Sequence, residues 1–136
     1  KRNNSTKYMV GVVLEGTITR GLGEGAYFMS MEYYKKEIKK KLGFDAFPGT
    51  LNIKTDKESI DLFKKINPII IAGFKKDGNT FGGVNCYMAK INDIEGSIIM
   101  PHINKHKDNI IEFIAPVNLK SKSNIQDGDK VKIELK

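Results

Sequence analysis

Apolar residues in this chain arrive in short, β-branched runs broken by turn-forming residues, and that pattern confines it to a fold built from short strands. Met9-Val10-Gly11-Val12-Val13-Leu14-Glu15-Gly16-Thr17-Ile18 predicts a largely buried first strand between Tyr8 and Thr19. Thr50-Leu51-Asn52-Ile53-Lys54 alternates polar with apolar and predicts a half-buried strand after the Phe47-Pro48-Gly49 turn. Ile69-Ile70-Ile71 starts a strand expected to bend back at Lys76-Asp77-Gly78-Asn79 toward Phe81. The runs Val84 to Ile91, Ser97 to Met100, Ile110 to Ala115 and Val131 to Leu135 complete the set. One helix is well marked. Tyr34, Ile38 and Leu42 share a face between Met31 and Leu42, with Ser30 as candidate cap and Gly43 as stop signal. A shorter helix is expected between Lys57 and Lys65. The regular strand–helix alternation of a doubly wound parallel sheet is missing, so the reading is mainly β, a small closed barrel with one or two helices.

At 136 residues the chain has the size of one domain, expected over 8–136 and preceded by a polar tail at 1–7. Lys120-Ser121-Lys122-Ser123-Asn124 is the only linker-like stretch. Lys plus Arg number 23 against 16 Asp plus Glu, a net charge of +7 that favours anionic partners without naming one. Cys86 is the sole cysteine and no Cys/His cluster has metal-ligand spacing, which argues for an intracellular protein without structural zinc. No apolar run approaches a membrane span and no signal peptide is visible; the expectation is a soluble, cytoplasmic, monomeric protein with no membrane partner.

Three motifs can carry chemistry. Gly21-Leu22-Gly23-Glu24-Gly25-Ala26 satisfies the dinucleotide pattern G-x-G-x-x-G/A after a predicted strand, yet no helix opens directly on it and no βαβ unit follows. It reads either as a phosphate cradle of another kind or as a glycine-rich hairpin loop. Thr50 and Asn52, two apart on a strand, present two neutral oxygens on one side; hard cations accept such donors, and so does neighbouring turn backbone. Glu112 interrupts Ile110-Ile111-Glu112-Phe113-Ile114-Ala115-Pro116, and is either an outward-facing residue of an alternating strand or a buried acceptor that positions a donor. His102 and His106 lie in a polar loop without a third ligand and are expected at the surface, and Lys35, Lys36, Lys39, Lys40 and Lys41 are expected to form the solvated face of the helix, with attraction of polyanions as the alternative.

Taken together, Gly21 to Phe28, Leu42-Gly43-Phe44, Gly49-Thr50-Leu51-Asn52-Ile53, Ile110 to Pro116 and Asp127-Gly128-Asp129-Lys130-Val131 form a joint signature in which the chain resembles the archaeal CTP-dependent riboflavin kinases. The likeness runs from Met9 to Leu135 in the expected order. It implies a six-stranded cradle-loop β-barrel and transfer of the CTP γ-phosphate to the riboflavin 5′-hydroxyl, giving FMN and CDP. By the same resemblance Gly21, Leu22, Gly23, Glu24, Gly25 and Ala26 match a cytidine-nucleotide loop, and Val117, Asn118, Leu119 and Lys120 a second nucleotide contact. Thr50 and Asn52 match Mg²⁺ ligands, and Glu112 a flavin contact that orients the reacting hydroxyl or accepts its proton. Asn104 stands where another flavin contact, usually Thr, falls; Ala26 and Lys120 stand where the family often has a basic residue and Arg. Two other function classes compete: a basic barrel that binds RNA or single-stranded DNA, and a flavin- or nucleotide-binding regulator without turnover. The kinase reading expects no nucleic-acid partner.

Overall fold

The computed structural model describes residues 11–21, 29–102 and 109–136. Along the chain run β1 (Val13–Thr19), α1 (Glu32–Leu42), β2 (Leu51–Lys54), α2 (Lys57–Phe63), β3 (Ile69–Ile71), β4 (Phe74–Lys76), β5 (Asn79–Phe81), β6 (Val84–Ile91), β7 (Ile94–Pro101), β8 (Ile110–Ile114), α3 (Leu119–Lys122) and β9 (Lys130–Leu135). Six strands, in the order β6-β7-β8-β2-β1-β9, close into an antiparallel barrel when β9 returns to β6 through Ala89↔Leu135 and Lys90↔Glu134. The mainly β, closed-barrel expectation is therefore met. β3 pairs with the free stretch of the same β6 edge, and β4 with β5 makes a separate hairpin.

Alternation decides which side chains fill the barrel. In β9 the inward residues Val131, Ile133 and Leu135 are buried and the intervening lysines and Glu134 are exposed. Leu14, Ile18, Ile53, Ile98, Ile111 and Phe113 join them in one interior core. A second core lies on the outside of the wall, where Tyr34 and Ile38 of α1 cover Ile71, Cys86, Ile99 and Ile114. Those two helix residues are four apart and therefore stacked on one face, as the periodicity requires. The five lysines of α1 are on its exposed side. At this second core burial pushes the Cys86 thiol up to about 12, so it packs as a small apolar group.

Four local expectations need correction. Ser30 is not the cap of α1: the helix starts at Glu32, and Met31 holds the cap position with no side-chain bond. Tertiary bonds anchor this end instead, with the Tyr33 hydroxyl donating to the Ala72 carbonyl at 2.6 Å and the Tyr34 hydroxyl to that of Gly82 at 2.7 Å. Second, the hairpin expected at Lys76-Asp77-Gly78-Asn79 forms as β4 with β5, but the strand begun at Ile69-Ile70-Ile71 does not run into it. β3 stays on β6, whereas Phe74 and Phe81 stack at 4.7 Å and hold the hairpin against Tyr33. Third, β7 begins at Ile94, earlier than Ser97, because it pairs with β6 through the tight Asn92-Asp93 turn. Fourth, the linker-like stretch after Asn118 opens as α3, whose first amides, Lys120 N–H and Ser121 N–H, donate to Asn118 Oδ1. Among the described residues no helix is long and apolar enough to cross a membrane.

Gly96 permits the closest approach in the wall. A Cβ there would fall 2.1 Å from the Ile114 carbonyl oxygen and 2.7 Å from the Phe113 ring. Gly96→Ala should therefore cost about 1–3 kcal/mol by forcing β7 from β8. Urea denaturation measures it, and a loss below about 0.5 kcal/mol would show that the wall yields freely.

Candidate functional site

β2 and β8 pair antiparallel with Leu51↔Phe113, Asn52↔Glu112 and Ile53↔Ile111 in register. Leu51, Ile53, Ile111 and Phe113 point into the barrel core, so the pleat turns Asn52 and Glu112 together onto the outer face. Asn52 is opposite Thr19 on its other side and Glu112 opposite Ile99, which places a polar row beside the apolar patch under α1.

Glu112 is only 2% exposed, so it faces outward from the barrel, as strand alternation requires, and is nevertheless buried. Thr50 Oγ1 donates to Glu112 Oε1 at 2.9 Å, so one carboxylate oxygen has a neutral donor at its edge. On the other flank the backbone of Gly21 lies against Asn52. A Cβ on Gly21 would sit 2.1 Å from Asn52 Nδ2 and 2.6 Å from its side-chain carbon, so only glycine admits this contact without moving the carboxamide. Residues distant in sequence, Gly21, Thr50, Asn52 and Glu112, thus share one site. Leu22, Gly23, Glu24, Gly25, Ala26 and Asn104 lie outside the described residues, as does His106.

The segment predicted as a second nucleotide contact adjoins the same site. Val117, Asn118, Leu119 and Lys120 line a cavity of about 200 Å³ whose wall also includes Gly49 and Thr50. Asn118 Oδ1 is engaged in capping α3, the Leu119 side chain is buried, and Lys120 Nζ reaches Asp127 Oδ1 at 2.7 Å. The Lys120 bond holds the Asp127 carboxyl below its ordinary range. Both partners are well exposed, so the pair contributes little to stability and Lys120 can exchange Asp127 for another anion.

A larger cavity of about 480 Å³ was not expected from sequence. It opens where β7 and β8 part: their pairing ends at Ile99↔Glu112, while β7 continues on β6 to Val84↔Pro101 and β8 continues on β2 to Lys54↔Ile110. Phe63, Tyr87, Met100 and Ile110 give it an apolar lining. Asn85 and His102 supply the polar part, with His102 Nε2 and Asn85 Oδ1 2.7 Å apart. His102 is exposed, as expected, yet its backbone N–H donates to the Gly83 carbonyl and its ring borders this cavity. Burial pushes the Tyr87 phenol up, and a side-chain hydrogen bond with Asn85 opposes that rise. The available signal was Asn85 itself, the one polar residue among the inward positions Asn85, Tyr87, Ala89 and Ile91 of β6.

Among the described residues no group of three or more His, Cys, Asp or Glu could hold a metal ion. Thr50 and Asn52 offer a hydroxyl and a carboxamide, a donor set suited to a hard cation that arrives with phosphate oxygens and keeps several waters.

Comparison with known proteins bears on this arrangement. Residues 18–135 match the family model CTP-dep_RFKase, described as domain of unknown function DUF120. A riboflavin kinase of Pyrobaculum aerophilum is 42% identical over 130 residues, which cover 93% of this chain and 62% of that protein. Riboflavin kinases of Pyrococcus furiosus and Thermococcus kodakarensis are 44% and 45% identical, covering 91% and 90% of this chain and 58% of each relative. The chain thus spans about six tenths of the length of the curated relatives it matches.

The Thr50–Glu112 bond can be tested without any ligand. Thr50→Val should cost about 1.5–3 kcal/mol by withdrawing a donor from a buried carboxylate. In a Glu112→Met background the same substitution should cost under about 0.5 kcal/mol, since the charge it served is gone. Equal costs in the two backgrounds, read by urea unfolding, would mean that the bond does not couple these residues.

Proposed function

This chain belongs to the CTP-dependent riboflavin kinase family, and from that premise we propose that it transfers the γ-phosphate of CTP to the ribityl 5′-hydroxyl of riboflavin, giving FMN and CDP. The observation that carries the reading is the convergence of Gly21, Thr50 and Asn52 on a buried Glu112, because phosphoryl transfer needs alignment and charge neutralisation more than a covalent nucleophile.

Each residue has a role its surroundings can support. Glu112 orients the 5′-hydroxyl and accepts its proton as the oxygen bonds to the γ-phosphorus, while the bond to the β-phosphate oxygen breaks and its electron pair leaves with CDP. Burial makes the carboxylate a stronger hydrogen-bond acceptor than one in water, and Thr50 holds it in place. Thr50 and Asn52 fit Mg²⁺, which when bound neutralises phosphate charge. Their placement beside Gly21 fits the nucleotide to that flank, since a bare backbone there lets phosphates approach closely. The cavity at Val117 to Lys120 extends this flank, and Lys120 provides a point charge for a phosphate rather than an Arg fork. The net charge of +7 favours a polyphosphate substrate over a neutral one.

Incubation with riboflavin, Mg²⁺ and each nucleoside triphosphate in turn, followed by chromatography, should yield FMN with CTP far above ATP, GTP or UTP. Riboflavin binding without FMN would identify a regulator instead. Thr50→Ala and Asn52→Ala should each lower kcat about 100-fold, roughly 2.7 kcal/mol of barrier, while unfolding stays cooperative. Unchanged rates in both would contradict the metal assignment. Glu112→Gln should keep CTP affinity and depress turnover of riboflavin.

A further inference from the structure

The turn that leads into β9 is tied down on both sides. Gly128, at a φ of 93°, lets the chain reverse. The Asp129 N–H donates to the Gln126 carbonyl at 3.0 Å and Asp129 Oδ2 accepts from the Gln126 N–H at 2.9 Å, which closes the turn on itself. Two backbone bonds then clip it to β1: the Ile18 N–H donates to the Asp129 carbonyl and the Gly128 N–H to the Ile18 carbonyl, both at 2.8 Å. Before the turn, Leu119 and Ile125 are buried in the barrel core. The turn is thus fixed beside the end of β1, just ahead of Arg20 and Gly21.

Its two carboxylates have different tasks. Asp129 is engaged in the turn, whereas Asp127 accepts from Lys120 Nζ at 2.7 Å. The Lys120 hydrogen bond, and after it the charges of Lys120 and Arg20, hold the Asp127 carboxyl below its ordinary range. One cation comes from the wall of the smaller cavity and the other from the residue before Gly21, so both flanks of the nucleotide side send a positive charge toward the same carboxylate.

Resting on the riboflavin kinase reading, we propose that Asp127 is a resident counter-anion of the nucleotide site: it holds Lys120 while no nucleotide is bound, yields it to a phosphate of CTP and takes it back as CDP leaves. A lysine ammonium is a point charge on a flexible stem and can swing between two acceptors. Both partners of the pair are well exposed, so releasing Lys120 costs little. Asp127 offers one negative charge, whereas a di- or triphosphate offers several, so the nucleotide wins the exchange. The carboxylate cannot retreat, because its turn is clipped to β1, and it therefore goes on competing for the lysine and limits the affinity for the product. Asp127 is a positioning residue that acts through Lys120. A residue that only braced the lysine has the opposite signature: removing a brace weakens nucleotide binding, and removing a competitor strengthens it.

Asp127→Asn keeps the shape of the side chain and removes its charge. In the full chain it should tighten CDP binding, measured by calorimetric titration, about threefold and lower the CTP KM by a similar factor, as release from an exposed pair implies. CDP should dissociate correspondingly more slowly in stopped-flow displacement, and the riboflavin KM should not move. Lys120→Met should weaken CDP binding, and in that background Asp127→Asn should alter it by less than about 1.5-fold, because the residue it acts through is gone. Asp127→Ala serves if the asparagine disturbs the turn. Unchanged or weaker CDP binding in both Asp127 variants, or the same tightening with Lys120→Met present, would overturn the assignment. If the unsubstituted chain made no FMN the kinase reading would fall, and titration with inorganic tripolyphosphate would judge the exchange alone: tightening by Asp127→Asn that disappears with Lys120→Met supports it, and absent or equal binding refutes it.

Discussion

The register between β2 and β8 is the constraint on which both the core and the site depend. Because the pleat has a period of two, one pairing sends Leu51, Ile53, Ile111 and Phe113 into the barrel and Asn52 and Glu112 out of it. A slip by one residue would put a carboxylate and a carboxamide among the interior apolar side chains and expose four large hydrophobic ones. Unsatisfied burial of a carboxylate costs several kcal/mol, so the hydrophobic core enforces the geometry of the polar site without touching it. The two facing rows are one device seen from two sides.

Closure of the barrel limits how far β7 and β8 stay paired. β6 is shared along one edge between β9 and β3, and its other edge holds β7 through eight consecutive residue pairs from Val84↔Pro101 to Ile91↔Ile94. β7 therefore cannot follow β8 when β8 turns toward β2, and their ladder ends at Ile99↔Glu112. Gly96 draws the two strands tightly together at one end of the contact, which leaves their separation to develop at the other. Among the described residues, an opening beside a buried carboxylate thus follows from strand pairing.

The strands, the barrel class and helix α1 were legible because they depend on patterns within a few residues: alternation in β9, the four-residue spacing of Tyr34 and Ile38, and Gly43 at a φ of 88°. The same holds for the proximity of Thr50 and Asn52. Their meeting with Glu112, 62 residues from Thr50, was legible only through the family resemblance, since no local pattern encodes a pairing at that distance. Ser30 misled because a serine before a helical pattern predicts a cap by local hydrogen bonding, whereas Tyr33 and Tyr34 fix this helix through contacts with Ala72 and Gly82. The larger cavity was illegible for a related reason. Asn85 is one residue of the strand read from Val84 to Ile91, and its surroundings depend on His102 and Tyr87 arriving beside it.

Under the kinase reading, the burial of Glu112 before any ligand arrives is the most consequential energetic feature. A carboxylate at 2% exposure has already lost most of its water, so the cost of desolvating it is met by folding and not by the reaction. Thr50 offsets part of that cost while leaving the carboxylate its acceptor character, since a hydroxyl donor neutralises no charge. The Thr50 bond therefore helps to fix a carboxylate whose desolvation folding has already met, on the strand that runs from Ile110 at the larger cavity to Phe113 at the smaller.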